Sequence, residues 1–211
     1  MLKNGLFKDE FAGFLIKEWQ KENYLSIIGR RKLILSHGGK CTVKQCINDC
    51  ETITMQPDEL HGDHEEADTL VGFHISQIAK TNEGTIVVRA SDTDILVIIL
   101  RVLGKGEILN TIINDCGTGN ARHFVNATEI YNTLEKCHVG LSRALPGLHD
   151  FTRTDYTTCF FRKGKVKALE LMQSNSQGEF IDFFSILQFS NTPDYAMASK
   201  YVCRLWFQGN Q

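Results

Sequence analysis

Short β-type runs alternate with helix-period stretches along this chain, and that alternation constrains its fold more than any other feature of the sequence. Phe7, Phe11, Phe14, Leu15 and Trp19 recur at offsets of 0, 4, 7, 8 and 12 residues. This is the stripe of an amphipathic helix, which must pack on something. Arg30-Arg31-Lys32 leads into Leu33-Ile34-Leu35, a core strand stopped by Gly38-Gly39. Residues 40–64 lose periodicity and hold three cysteines, Pro57, Gly62 and several acids, which predicts a surface excursion. Glu66 to Lys80 then predicts a helix ending before Asn82 and Gly84, and Thr85 to Ala90 a strand.

Ser91-Asp92-Thr93-Asp94 interrupts the apolar sequence before it resumes over Ile95 to Leu103. The Ser/Asp start and the Gly104 stop make that run a helix rather than a second strand, although Ile and Val dominate it. Ile108 to Asn114 reads as a strand, Ala127 to Cys137 as a helix with Ile130, Tyr131 and Leu134 inward, and Val166 to Met172 as a further helix. Leu145-Pro146-Gly147 introduces a loop, and the apolar residues between Phe180 and Trp206 supply closing helical packing. The order predicts an α/β fold, a three-layer α/β/α arrangement with a mainly parallel central sheet and ligand sites at the carboxyl ends of its strands.

A length of 211 residues fits a single domain, 1–211. The balance of 23 basic against 25 acidic residues gives a net charge of −2, so any contact with nucleic acid must use a local basic patch rather than bulk charge. The longest apolar run, Ile95 to Leu100, is far short of the roughly 20 residues of a membrane span. The start, with Lys3, Lys8, Asp9 and Glu10, lacks the apolar core of a secretory signal, and the seven cysteines are an odd count. Both features predict an intracellular protein, of nucleus or cytoplasm, with reduced thiols and no membrane partner.

Acids collect at three element boundaries. Glu65, Glu66 and Asp68 open a predicted helix, Asp92 and Asp94 follow a predicted strand, and Asp155 lies in a loop. In an extended chain residues two apart face the same side, so Asp92 and Asp94 can face one point beyond the strand. On a helix they diverge by about 200 degrees, so Glu66 and Asp68 share a site only if Glu66 precedes the helix. Carboxylates grouped in this way need a hard divalent cation, and oxygen ligands suit Mg²⁺ or Mn²⁺. An acid at a helix start is also a cap, and Asp68 and Asp92 fit that role.

The order Glu66-Ala67-Asp68, then Ser91-Asp92-Thr93-Asp94, then Phe-Thr-x-x-Asp from Phe151 followed by a Gly/Lys-rich helix start resembles the PIN-like and flap-endonuclease-like nuclease superfamily. In particular it resembles a transposon-associated group found in invertebrate genomes, over residues 7–206. The resemblance implies a PIN-like fold and hydrolysis of phosphodiester bonds in DNA or RNA at one or two Mg²⁺ or Mn²⁺ ions, with Glu66, Asp68, Asp92, Asp94 and Asp155 as catalytic metal ligands. Glu65 is the lesser candidate. Arg162, Lys163, Lys165 and Lys167, at a glycine turn and helix start, are the expected contacts to nucleic-acid phosphate; a solvated helix face is the plainer reading of the same residues.

Two departures stand against the family pattern. Further acids from an upstream strand have no counterpart, so the domain reads as lacking its N-terminal strand region, and Arg153-Thr154 precedes Asp155 where the group has Gly-Cys. They point to the alternative of a catalytically inactive PIN-like fragment that serves as a nucleic-acid or protein binding scaffold. Cys41, Cys46, Cys50, His61 and His64 lack paired zinc-ligand spacing, and Gly117-Thr118-Gly119 lacks the ending of a nucleotide-binding loop and reads as a turn.

Overall fold

The computed structural model describes residues 5–19, 21, 24, 27, 29, 31–48, 51–55, 57–60, 67–106, 108–152, 160, 163–175, 177–187, 192 and 194–207. The chain forms two compact units, 1–77 and 78–211. The division follows the strand pairing, because the described strands form two separate three-stranded sheets.

In the first unit, α1 (Gly5–Trp19) realises the predicted amphipathic helix, followed by β1 (Lys32–His37), β2 (Lys40–Asn48) and β3 (Glu51–Met55). Gly38 and Gly39 form the β1–β2 turn, with φ of 56° and 73°. Positive φ at both central residues gives the turn whose twist suits a two-residue hairpin, and glycine adopts it without steric cost. The expected surface excursion therefore contains two strands of an antiparallel meander. The sequence hides them because β2 carries polar residues inside: Thr42 and Lys44 are buried together with Cys41 and Val43. Lys44 offsets part of its burial by donating from Nζ to the Lys21 carbonyl at 3.1 Å. α1 packs thinly. Gly13 lies against His37, and Phe7, Phe11 and Phe14 stack on one another at centroid distances of 6.0 and 6.5 Å while Phe11 and Phe14 stay exposed.

α2 (Ala67–Thr81) opens on Asp68 and contains the unit boundary. In the second unit, β4 (Thr85–Arg89), α3 (Thr93–Leu103), β5 (Thr111–Cys116), β6 (His123–Asn126) and α4 (Ala127–Cys137) follow in order. α3 is the helix predicted from Ile95 to Leu103, and the β4–α3–β5 crossover makes β4 and β5 parallel. The described residues thus form a mixed α/β protein in which one strand pairing is parallel and three are antiparallel. The β5–β6 pair is antiparallel because the six residues of connection, 117–122, are too few for a crossover, which takes about a dozen. β5 begins later than predicted: Leu109 is fully exposed, and Asn110 instead marks the start by donating its amide to the Asn82 and Gly84 carbonyls at 2.9 and 3.2 Å. Asn126 caps α4 through the Glu129 N–H at 3.1 Å, and the Thr128 hydroxyl accepts from the Ile112 N–H at 2.8 Å.

The main core lies among α5 (Leu141–Thr152), α6 (Lys165–Ser174), α7 (Glu179–Leu187) and α8 (Tyr195–Phe207). α5 corrects the loop expected at Leu145-Pro146-Gly147, because packing overrides two poor helix formers. Leu141, Ala144 and Leu148 share the core with Phe180 and Phe184, and at Gly147 the helices approach so closely that a Cβ would stand 2.2 Å from the Phe184 carbonyl oxygen. Glu135 of α4 serves the start of α5 by accepting from the Gly140 and Ser142 N–H groups and the Ser142 hydroxyl. Tyr201 stands edge-on to Phe180 and Phe184 and donates to the Ala168 carbonyl at 2.7 Å, and burial pushes its phenol pKa upward. Among the described residues no helix is long and apolar enough to cross a membrane.

Candidate functional site

The carboxyl end of the β4–β5 pair leads directly into the start of α3, and Asp92 and Asp94 sit there. The expectation of two carboxylates on one extended strand gives way to a different arrangement, because α3 begins at Thr93. Asp92 has extended backbone (φ −77°, ψ 136°) and is the N-cap, its Oδ1 accepting from the Asp94 N–H at 3.0 Å. A cap of this kind stabilises a helix by about 1 kcal/mol. Asp94, in the first helical turn, has its carboxylate Oδ1 3.1 Å from Nε2 of His149 near the end of α5.

Lys165 at the start of α6 places Nζ 2.8 Å from His149 Nδ1 and 3.3 Å from its Nε2. The imidazole therefore stands between the Asp94 carboxylate and the Lys165 ammonium. Beside them the Asp150 carboxyl is raised above the ordinary value, first by desolvation and also by Asp94, against the pull of His149, Arg101 and Lys165.

Asp68 occupies the first turn of α2 in the other unit. Lys163 lies over the Trp206 ring, 5.4 Å from its centroid, Lys167 is exposed on α6, and Lys165 meets His149 of the Asp94 cluster. Glu65, Glu66, Asp155 and Arg162 lie outside the described residues. The structure adds His149, which carries no sequence signal until α5 is recognised as a helix.

It also adds Asp115 at the end of β5. Its carboxylate is 4% exposed and is gripped by Arg122, Nε to Oδ1 at 2.9 Å and a terminal nitrogen to Oδ2 at 2.7 Å. Arg89 reaches the same Oδ1 at 3.3 Å and the Asp115 and Gly117 carbonyls at 2.9 and 2.6 Å. The Arg122 hydrogen bond, aided by the charges of Arg122, Arg89 and His123, holds the Asp115 pKa below its usual value against the effect of burial. A folded-state pKa below the unfolded one gives stability that is fully present above about pH 4 and is lost as pH falls through the folded value. Asp115→Asn is therefore expected to lower the urea midpoint at pH 7, with the gap to wild type closing as the pH is brought below about 4. A gap independent of pH would show that the arginines do not hold this carboxylate.

The donor set tests the expected metal. Asp92 and Asp94 offer oxygen, the donor type that suits Mg²⁺ or Mn²⁺, and on β5 the buried Asn114 side-chain oxygen has no hydrogen-bond partner among the described residues. Donor chemistry fits, but among the described residues no group of three or more His, Cys, Asp or Glu side chains is placed to hold a metal ion. Comparison with protein-family models, with curated proteins and with solved structures finds no match to the chain.

Proposed function

We propose that this chain is a divalent-metal-dependent nuclease that hydrolyses phosphodiester bonds of DNA or RNA, built on a PIN-like α/β fold. The observation that carries this reading is the placement of Asp92 and Asp94 at a helix start just beyond a parallel strand pair, with Asp94 steered by His149. Asp92 and Asp94 would hold the ion, with Glu66, Asp68 and Asp155 the further ligands that the family resemblance implies. A bound Mg²⁺ or Mn²⁺ supplies an activated water and compensates charge on the phosphate. His149 keeps the Asp94 carboxylate aimed, and Lys165 fixes the imidazole and adds positive charge where a phosphate approaches.

A second reading, the inactive scaffold, is favoured by the engagement of both carboxylates, Asp92 with a helix N–H and Asp94 with His149. Incubation of labelled single-stranded and duplex oligonucleotides with Mn²⁺ or with EDTA separates the two. The nuclease reading expects cleavage that needs the metal, is abolished in Asp94→Asn, and falls roughly 10- to 100-fold in His149→Gln. Intact substrate with wild-type protein at every metal concentration leaves the scaffold.

A further inference from the structure

The β4–β5–β6 sheet has two unlike faces. On one parity Val88, Ile112 and Asn114 are buried, and α4 packs against β5. On the other, the register brings Val87 beside Ile113, and Arg89 beside Asp115, which in turn pairs with Phe124 on β6. Val87 is 57% and Phe124 63% exposed, and the Arg89 and Arg122 side chains, over the buried Asp115 carboxylate, are 47% and 53% exposed. A parallel pair is ordinarily covered on both faces, so a layer open on one side has room for a ligand. The Arg122 guanidinium lies over the Phe124 ring, 5.3 Å from its centroid.

We infer that this open face binds single-stranded nucleic acid, with a base stacked on Phe124 beside Val87 and Ile113 and the phosphates met by Arg89 and Arg122. The inference rests on the reading of the chain as a nucleic-acid protein and adds a contact surface distinct from the Asp94 cluster and from the 162–167 segment. Charge complementarity selects the occupant. Two arginines against one carboxylate leave a net positive edge, and the Arg122 hydrogen bonds to Asp115 use two of the five N–H donors that a guanidinium carries. An aromatic ring on an exposed strand beside such an edge is the combination that holds single strands, because every base offers a π-face and every linkage a phosphate.

The test uses the full chain in EDTA, so that binding is read without cleavage, with fluorescence anisotropy of a labelled oligothymidylate. Phe124→Ala is expected to weaken binding roughly 5- to 100-fold, the worth of one stacked base, and Val87→Glu to weaken it by opposing the phosphates. Both positions are exposed, so the thermal midpoints of the variants should match wild type. Wild-type binding that neither substitution changes, but that Lys163→Glu with Lys165→Glu removes, overturns the face and leaves the nucleic-acid reading standing. Failure of wild type itself to bind the oligonucleotide overturns both. A wild-type dimer that Val87→Glu splits, without oligonucleotide binding, makes the face a self-association surface and overturns the inference.

Discussion

Phe184→Ala is expected to lower the unfolding free energy by about 3–5 kcal/mol, a large part of the roughly 5–15 kcal/mol that holds a typical domain together. Phe184 has no exposed surface, and its ring makes edge contacts with Tyr201, Phe183 and Phe151 at centroid distances of 4.8, 4.9 and 5.5 Å. Truncation removes the transfer free energy of the ring and leaves a void that the surroundings cannot readily close. Gly147 already sits against the Phe184 backbone, and Tyr201 is tied to the Ala168 carbonyl. Phe207→Ala, at a ring 78% exposed, is the control and should cost less than about 0.5 kcal/mol. Equal denaturant midpoints for the two variants would show that α5, α7 and α8 do not share the core described above.

The consequence reaches the candidate site. His149 lies one residue beyond Leu148, a core residue of α5, and Lys165 begins the helix that contributes Ala168, Leu171 and Met172. The packing of α5 and α6 therefore fixes where the imidazole and the ammonium meet Asp94. Loss of that packing should loosen the cluster before it touches any carboxylate directly.

Periodic segments were legible in the sequence, and positions decided by distant contacts were not. α1, α2, β4, α3, α4 and α6 follow from apolar spacing together with stops such as Gly104, where a Cβ would meet the Arg143 side chain at 2.9 Å. α5 escaped because Pro146-Gly147 is a turn signal locally, and only Phe184 across the helix pair explains why glycine is needed inside a helix there. β2 escaped because a buried Lys44 breaks the alternation that marks a strand. Asp115 escaped for a related reason: ending the predicted strand at Asn114 left it looking like one more loop acid, whereas the structure places it inside, under two arginines.

The candidate site was legible in half. The sequence gives Asp92 and Asp94 as a pair at a strand end, but their separate roles depend on where α3 starts. One residue of helix converts two parallel carboxylates into a cap and an imidazole-bound acid. His149 and Asp94 are far apart in the chain, and no local pattern joins them.

Calorimetric titration of Mn²⁺ into wild-type protein and into Asp94→Asn asks whether Asp94 belongs to a divalent-metal site. This substitution keeps the backbone N–H that Asp92 caps and removes the carboxylate charge. Saturable binding by wild type and its loss in the variant are expected. The same isotherm for both proteins, or no binding by either, would rule out a metal site at Asp94 and leave Asp92 and Asp94 as a helix cap and a histidine-bound acid.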